Sequence, residues 1–183
     1  MTWQQTIAHL RADLYRFEAD TSWRSWRKTL RFEAGFRLTV LMRLCAWLHK
    51  LPLKGYGLYY LVRIWFNHLS LKLHVGIDPF MPLGPGFMLG HPFVVIINCR
   101  CKVGKNLTIA HEVTLGSRAR GEHAGCPVIG DNVFIGPGAK IIGGITIGSN
   151  VAIGANAVVT RDVPDKAEVA GIPAQVLSMK GAG

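Results

Sequence analysis

The stretch CPVIGDNVFIGPGAKIIGGITIGSNVAIGANAVVTRDVP, residues 126–164, repeats with a period of six residues. Each repeat has an aliphatic residue at one fixed position, and glycine follows it in four of the six cases. These positions are Ile129, Ile135, Ile141, Ile147, Ile153 and Val159. A small or aliphatic residue recurs four positions later, at Val133, Ala139, Ile145, Val151 and Ala157. This hexad predicts one short strand and a turn per repeat, stacked as a parallel β-helix.

The six-residue spacing continues upstream in two blocks that are out of phase with the main repeat. The blocks are Leu83, Leu89 and Val95, and then Val103, Ile109 and Leu115. Between the second block and the main repeat lies GSRARGEHAGCPV, where the aliphatic spacing is fourteen residues rather than twelve. Because this segment is rich in glycine and charge, it predicts a loop that leaves the coil over residues 116–128.

The composition changes sharply near residues 74–78. All five Trp and 12 of the 21 Lys and Arg precede residue 76, together with only four of the 11 acids. That part therefore carries +8 of the net charge of +10, whereas 18 of the 21 glycines follow it. We predict a basic, aromatic-rich helical segment over 1–75, a mainly β domain over 76–165 and a C-terminal tail over 166–183.

Apolar residues recur at helical spacing in the basic segment, which predicts two or three helices. They are Leu10, Leu14, Phe17, Phe36, Val40, Leu44 and Leu48. Pro52, Gly55 and Gly57 break the pattern before a second apolar run over 58–73. Helices with Trp and Leu on one face and Arg on another either pack against the β-helix or another subunit, or lie on an anionic membrane surface.

Several classes of protein are not expected from this sequence. No run of about 18 uninterrupted apolar residues predicts a membrane span, and the start of the chain lacks a secretory signal, so a cytoplasmic location is expected. The calculated pI is about 9.9, but the cations alternate with Trp and Leu, so nucleic acid is not an expected partner. Cys99 and Cys101 stand at strand spacing, which favours buried structural thiols, and no metal is expected.

Four stretches resemble the hexapeptide-repeat acyltransferases, and within them the serine acetyltransferase branch. They are GFMLGH (86–91), VTLGS (113–117), the main repeat (126–164) and AGIPA (170–174). The resemblance covers most of the chain that follows the basic segment. It implies a left-handed β-helix that forms a homotrimer and uses acetyl-CoA in clefts between neighbouring subunits.

The resemblance also indicates catalytic residues. The histidine after the GFMLGH-type run is the family's general base, and here it is His91. An alcohol that attacks a thioester must lose its proton as the bond forms, which suits an imidazole acting by direct transfer. His111 is a second candidate in a supporting role. The family's orienting Asp lies in a V-D-I-H-P pattern, but Gly76 stands at that position here, so Asp78 and Glu112 are displaced candidates.

For CoA, the resemblance indicates backbone, small residues and cations. They are Gly116 and Ser117, Ala139 and Ala157, and Lys140 and Arg161. The small side chains would admit the pantetheine arm, and the cations would offset phosphate charge.

Two departures from the family pattern concern the acceptor. Serine enzymes of the family carry Asp before the catalytic His, where this chain has Gly90, and Arg-His before the loop's closing Pro, where it has Gly125 and Cys126. Since the ammonium and carboxylate of serine need opposite charges, these changes favour another acceptor. The loop's Cys-Pro end is similar to the colanic acid type of acetyltransferase, which modifies sugars in exopolysaccharide assembly.

We therefore expect an acetyl-CoA-dependent O-acetyltransferase that acts on a sugar hydroxyl in polysaccharide biosynthesis. Arg118, Arg120 and His123 are the candidate sugar-binding residues, and the acceptor is a small-molecule or lipid-linked sugar. The segment 1–75 either packs against the coil or another subunit, or makes peripheral membrane contact. The alternative enzyme is a serine O-acetyltransferase, which would need another basic side chain to hold the carboxylate. A non-catalytic β-helix scaffold is the alternative outside enzymes.

Overall fold

The structure is a computed structural model that describes residues 1–52 and 56–182. Four helices occupy its N-terminal part: Trp3–Glu18 (α1), Trp23–Phe32 (α2), Ala34–Leu48 (α3) and Tyr56–Leu73 (α4). α1 begins with a capping box between Thr2 and Gln5, and the hydroxyl of Ser22 caps α2. The apolar run over 58–73 is helical, but Gly57 lies in the first turn of α4 rather than in a break. Gly55, another predicted break, lies outside the described residues.

Short strands build the rest of the chain. In the described residues they are Met88–Leu89 (β1), Ile96–Ile97 (β2), Lys102–Val103 (β3), Thr108–Ile109 (β4), Thr114–Gly116 (β5), Val128–Ile129 (β6), Phe134–Ile135 (β7), Lys140–Ile142 (β8), Thr146–Ile147 (β9), Ala152–Ile153 (β10), Val158–Val159 (β11), Glu168–Ala170 (β12) and Gln175–Ser178 (β13). From β1 to β8, each strand pairs in parallel with the third strand after it, and β10 pairs in parallel with β12. The result is three sheets: β1-β4-β7-β10-β12, β2-β5-β8-β11 and β3-β6-β9. A chain that visits three sheets in turn is a parallel β-helix.

The core of this coil is the aliphatic ladder that the repeat predicts. Ile135, Ile141, Ile147 and Ile153 are fully buried, and the second ladder, from Val133 to Ala157, is buried too. Burying each Ile side chain stabilises the fold by about 1.5–3 kcal/mol. In the register, Ile153 lies on Ile135, so three hexads make one coil.

The corner between β1 and β2 is larger than the equivalent corners of later coils. Three hexads counted from Met88 would end at Asn106, but Met88 pairs with Thr108. Ile96 pairs with Thr114, which lies three hexads further along the chain. Two extra residues therefore lie between β1 and β2. This enlarged corner contains the sequence Gly-His-Pro at 90–92.

The predicted loop is a larger insertion than the sequence spacing suggested. Leu115 and Ile129 lie on consecutive strands, β5 and β6, where the regular spacing is six residues. The fourteen-residue spacing thus contains eight extra residues, and the comparison with twelve was wrong. The register confirms this count, because three hexads counted from Lys102 would end at Arg120, whereas Lys102 pairs with Val128.

A buried ion pair fastens the helices to the first coil. Arg43 on α3 donates to both carboxylate oxygens of Asp13 on α1, at 3.1 and 3.3 Å, and also to the carbonyls of Leu83 and Gly84. Asp13 accepts in addition from the Phe87 N–H at 2.8 Å. Burial raises the pKa of the Asp13 carboxyl, and the Arg43 charge opposes this. Helices and coil therefore share one core instead of packing as separate units.

The coil continues past the predicted boundary at residue 165. β12 pairs in parallel with β10 up to Val169, and β13 then adds antiparallel to β12 and covers that end of the sheet. None of the helices in 1–52 and 56–182 has the length and hydrophobicity that crossing a bilayer requires.

Candidate active site

Two histidines stack at one corner of the coil. His91 lies in the enlarged corner between β1 and β2, and His111 lies in the equivalent corner of the next coil, between β4 and β5. Their ring centroids are 6.2 Å apart and the rings meet edge to face. His91 is exposed and His111 is half-buried. We name this region, residues 90–95 and 110–113, the histidine corner; both of its imidazoles are accessible to solvent.

The histidine corner places a β-branched residue in a left-handed conformation that several other corners of the coil give to Asn. Val94 has φ of 55° and Glu112 has φ of 59°, both in the left-handed region. A β-branched residue rarely adopts this conformation, and such strain is concentrated at functional sites. The Phe93 N–H donates to the His91 carbonyl, and the Glu112 N–H donates to the Phe93 carbonyl, each at 2.8 Å. These bonds hold the His91 turn against the next coil.

Neither candidate carboxylate is bonded to His91. Gly76 forms a parallel bridge with Ile96, and Asp78 lies two residues further along the chain. The register therefore places Asp78 beside Asn98, at the corner that follows β2. Its carboxylate accepts from the Phe80 N–H at 2.7 Å. Among the hydrogen bonds and ion pairs of the described residues, none joins His91 to Asp78 or to Glu112. The structure thus separates Asp78 from His91, which it was expected to orient.

Lys140 belongs to the same region as the histidines. It lies on β8, and its ammonium donates to the Glu112 carbonyl, one residue beyond His111. The Gly138 N–H donates to the His111 carbonyl at 3.0 Å. A cation predicted to contact CoA is therefore placed next to a predicted catalytic imidazole.

The predicted loop is a small hairpin at the next corner of the coil. Arg118 and Gly125 exchange backbone hydrogen bonds of 2.9 Å. The hairpin folds onto the corner above it, where the Gly144 N–H donates to the His123 carbonyl at 2.8 Å and the Gly143 N–H donates to the Gly116 carbonyl at 3.0 Å. A Cβ at Gly144 would lie 2.5 Å from the carbonyl oxygen of Ala124, so the close approach requires glycine. We name residues 98–102 and 116–128 the hairpin corner.

The predicted substrate residues all belong to the hairpin. Arg118 and Arg120 are exposed, and His123 is half-buried with its carbonyl bonded to Gly144. Ser117, predicted to contact CoA, accepts from the side-chain amide of Asn98 at 3.4 Å. The structure therefore gathers these residues at one corner, separate from His91.

Arg100 and Lys102 also face the hairpin, and the sequence interpretation did not include them. Together with Arg118, they line an open cavity of about 560 Å³ beside Gly125 and Cys126. The signal was the alternation at 100–103, where exposed cations alternate with the buried Cys101 and Val103. A strand pattern of this kind places the cations on one outer face.

Two predicted cofactor residues do not reach the surface. The methyl groups of Ala139 and Ala157 are fully buried in the coil. Their carbonyls accept from backbone N–H groups of the preceding coil, at Thr114 and Lys140 respectively. Their side chains thus shape the core, and close approach through these methyl groups is not available in this fold. Arg161 is exposed and lines a cavity of about 290 Å³ between the last corner and β13.

The two cysteines at strand spacing differ from each other. Cys101 is buried, and burial raises the pKa of its thiol to about 12. Cys99 is exposed, so the prediction of a buried role is wrong for it. Within the described residues, no group of three His, Cys, Asp or Glu side chains is arranged to hold a metal ion.

Comparison with known proteins identifies relatives of one kind. Residues 126–161 match the family model described as bacterial transferase hexapeptide (six repeats). The chain is 36% identical to the serine acetyltransferase of Bacillus pumilus over 74% of this chain and 63% of that protein. It is 36% identical to the Synechococcus elongatus enzyme over 90% and 66%, and 35% identical to the Staphylococcus epidermidis enzyme over 90% and 75%. The chain thus spans less than two thirds of the first two relatives.

Solved structures agree with these relatives. The serine acetyltransferase of Neisseria gonorrhoeae in complex with serine matches with a TM-score of 0.77 at 34% identity, covering 96% of this chain and 70% of that one. The Brucella abortus enzyme matches with a TM-score of 0.80 at 29% identity, over 99% and 72%. The predicted left-handed β-helix preceded by helices is confirmed.

These matches correct the expected acceptor. The relatives and structures are named serine acetyltransferases, and the expected closeness to the colanic acid type has no support among them. The prediction of a sugar hydroxyl in exopolysaccharide biosynthesis is therefore wrong. Its alternative, serine, agrees with the names of the matched proteins.

Proposed function

The chain belongs to the serine acetyltransferase family of hexapeptide-repeat transferases, and from this premise we propose that it transfers acetyl from acetyl-CoA to the hydroxyl of L-serine. The observation that carries the proposal is the edge-to-face pair of imidazoles, His91 and His111, whose ring centroids lie 6.2 Å apart in an exposed corner. Another corner of the same coil carries cations that can bind the carboxylate of an amino acid and the phosphate groups of acetyl-CoA.

His91 is the general base of the proposed mechanism. It removes the proton of the serine hydroxyl while the hydroxyl oxygen attacks the thioester carbonyl. His91 then returns this proton to the departing CoA sulfur as the tetrahedral intermediate collapses, which yields O-acetylserine and CoA. Its exposure supports this role, because a substrate hydroxyl can approach the ring directly. His111, half-buried at its side, limits the orientations that the His91 ring can adopt.

The two corners of one chain are too far apart to share a serine molecule. The strand Thr114–Gly116 lies between His111 and Ser117, and three strand residues at about 3.3 Å each keep its two ends roughly 10 Å apart. We propose that the hairpin corner of one subunit meets the histidine corner of its neighbour in a homotrimer. Light scattering of the purified protein tests this, and a monomer would contradict it.

Residues on both sides of such a cleft suit CoA. Lys140 near the histidines and Arg161 at the C-terminal cavity supply cations for phosphate groups, and Gly116 and Ser117 offer an open strand end. Acetyl-CoA supplies the activated acyl group. Equilibrium dialysis with CoA should show weaker binding for Lys140→Ala and Arg161→Ala, and unchanged binding in both would remove them from the site.

The decisive experiment measures the release of CoA thiol from acetyl-CoA in the presence of L-serine. We expect serine-dependent release by the wild type, little or none with nucleotide sugars, and loss of turnover in His91→Ala. Release that depends on a sugar would restore the rejected acceptor. If no acceptor promotes release while the protein is folded, the non-catalytic scaffold becomes the better account.

Peripheral membrane contact through the basic segment has support from α2. This helix contains four cations and no acid, and only Ser25 and Thr29 are buried. Trp23 is 74% exposed and Phe32 is 69% exposed. We propose that α2 binds anionic lipid surfaces. Flotation of the full chain with phosphatidylglycerol vesicles should exceed flotation with neutral vesicles, and should fall in Arg24→Ala/Arg27→Ala; equal flotation would reject the contact. The cytoplasmic location stays a prediction.

A further inference from the structure

The cavity at the hairpin corner has a one-sided charge. Its charged lining consists of Arg100, Lys102 and Arg118, and within the described part of the chain no acidic side chain lines it. Arg100 and Lys102 are exposed. Among the side-chain hydrogen bonds and ion pairs of residues 1–52 and 56–182, none involves their cationic groups. Positive charge without a protein partner in a concave surface attracts an anion.

The position of these cations is fixed by the coil. Lys102 lies on β3 and pairs with Val128, the residue at which the chain returns from the hairpin. The Arg100 N–H donates to the side-chain oxygen of Asn98 at 3.0 Å, which orders the turn before β3. The Cys126 thiol donates to the same Asn98 oxygen at 3.4 Å. The cations and the end of the hairpin are therefore held in one small network.

This network lies where the family motif is missing. The family resemblance implies Arg-His before the closing proline of the loop. This chain has Gly125 and Cys126 there, and both line the cavity. Gly125 has φ of 128°, a conformation in which an arginine would be strained. The backbone at this end of the loop therefore favours glycine. Arg100 and Lys102 approach it from the preceding coil.

We propose that Arg100 and Lys102 hold the carboxylate of the serine acceptor, in place of the Arg-His pair that is absent at Gly125 and Cys126. A guanidinium can bind a carboxylate with two parallel hydrogen bonds, and an ammonium adds a point charge beside it. This assignment rests on the proposed function. It identifies a positive subsite for an amino acid carboxylate, so the acceptor hydroxyl is presented to the His91 of the neighbouring subunit.

The test compares L-serine with L-serinamide, which keeps the hydroxyl and ammonium but lacks the carboxylate. In the wild type, serine should have the lower KM. In Arg100→Ala/Lys102→Ala, the KM for serine should rise roughly 10- to 100-fold while the KM for acetyl-CoA stays unchanged. The preference for serine over serinamide should fall by the same factor. Arg100→Lys should retain part of this preference.

Lys105→Ala is the matched control, because Lys105 is an exposed cation of the same coil that does not line the cavity. It should leave both KM values unchanged, and circular dichroism should show folded protein for every variant. If the wild type uses serine and the double variant keeps its preference over serinamide, the carboxylate assignment is overturned while the proposed function stands. If the wild type shows no serine-dependent release, both fail.

Discussion

The histidine corner and the hairpin corner are built on the same repeat but carry different chemistry. The first is a two-residue enlargement that exposes His91 beside His111. The second is an eight-residue insertion whose ends line a cavity together with Arg100 and Lys102 of the preceding coil. One corner can move a proton, and the other can hold an anion. One chain keeps the two corners apart at opposite ends of β5, which is why we propose that a complete site is formed by two subunits.

The largest expected effect separates the two histidines. His91→Ala should lower kcat by about 10²- to 10⁴-fold, the range that a general base contributes, while His111→Ala should lower it roughly 10-fold. The KM for acetyl-CoA should stay within a factor of two or so in both. Steady-state kinetics measure this. If His111→Ala is the more damaging change, the two roles are reversed.

A smaller effect is expected when the hairpin is displaced. A side chain at Gly144 would clash with the Ala124 carbonyl, so Gly144→Val should raise the KM for serine about 10-fold and cost about 1–3 kcal/mol of stability. Trypsin should then cut faster after Arg118 and Arg120. Gly57→Ala is the control, because a Cβ there has no neighbour within 4 Å. Unchanged cleavage in a folded Gly144→Val protein would show that the docking is unimportant.

A gain is expected from restoring the family's carboxylate. Gly76 bridges to Ile96 of β2, next to the end of the histidine corner, and a Cβ there would lie 3.9 Å from the Ile96 side chain, an ordinary contact. Gly76→Asp should therefore fold and raise kcat several-fold, roughly 10-fold at most, by orienting His91. Gly76→Asn, of the same size, is the control and should not raise kcat. A folded Asp variant with unchanged kcat would mean that His91 needs no such partner.

The smallest expected effect concerns thiols and leaves activity alone. Burial raises the pKa of Cys101 to about 12 and that of Cys45 to about 11, so both stay protonated at pH 8, whereas Cys99 is exposed. Iodoacetamide should label Cys99 first in the native protein. Mass spectrometry of peptides reads the order, and rapid native labelling of Cys101 would contradict its buried position.

The coil could be predicted from sequence because the six consecutive residues of each hexad form one strand and one turn. The aliphatic residue of each hexad packs against the equivalent residue three hexads later. The positions from Ile129 to Val159 therefore predict both the strands and the core. The helix packing could not be predicted in this way. Asp13 and Arg43 lie on different helices, and only the folded chain shows that they pair and anchor α1 and α3 to the first coil.

The candidate site was predictable only where a motif names a residue. His91 follows a recognisable run, and the enlarged corner explains its exposure. The prediction of a sugar acceptor was wrong because it relied on the absence of charged side chains at Gly125 and Cys126. A sequence motif does not show which residues from other parts of the chain lie beside those two positions. Arg100 and Lys102 face those two positions from the preceding coil. The alternation at 100–103 indicates that both side chains point outward, but only the register shows that this outer face meets the end of the hairpin.

The most direct test of the two-subunit site is complementation between inactive chains. One chain carries His91→Ala, and the other has residues 118–125 replaced by a short glycine linker, so each damages a different corner. Each variant alone should show little serine-dependent CoA release. After joint unfolding and refolding, mixed trimers should regain a substantial fraction of wild-type activity, because some interfaces pair two intact corners. Mixed trimers that form but stay inactive would contradict the account.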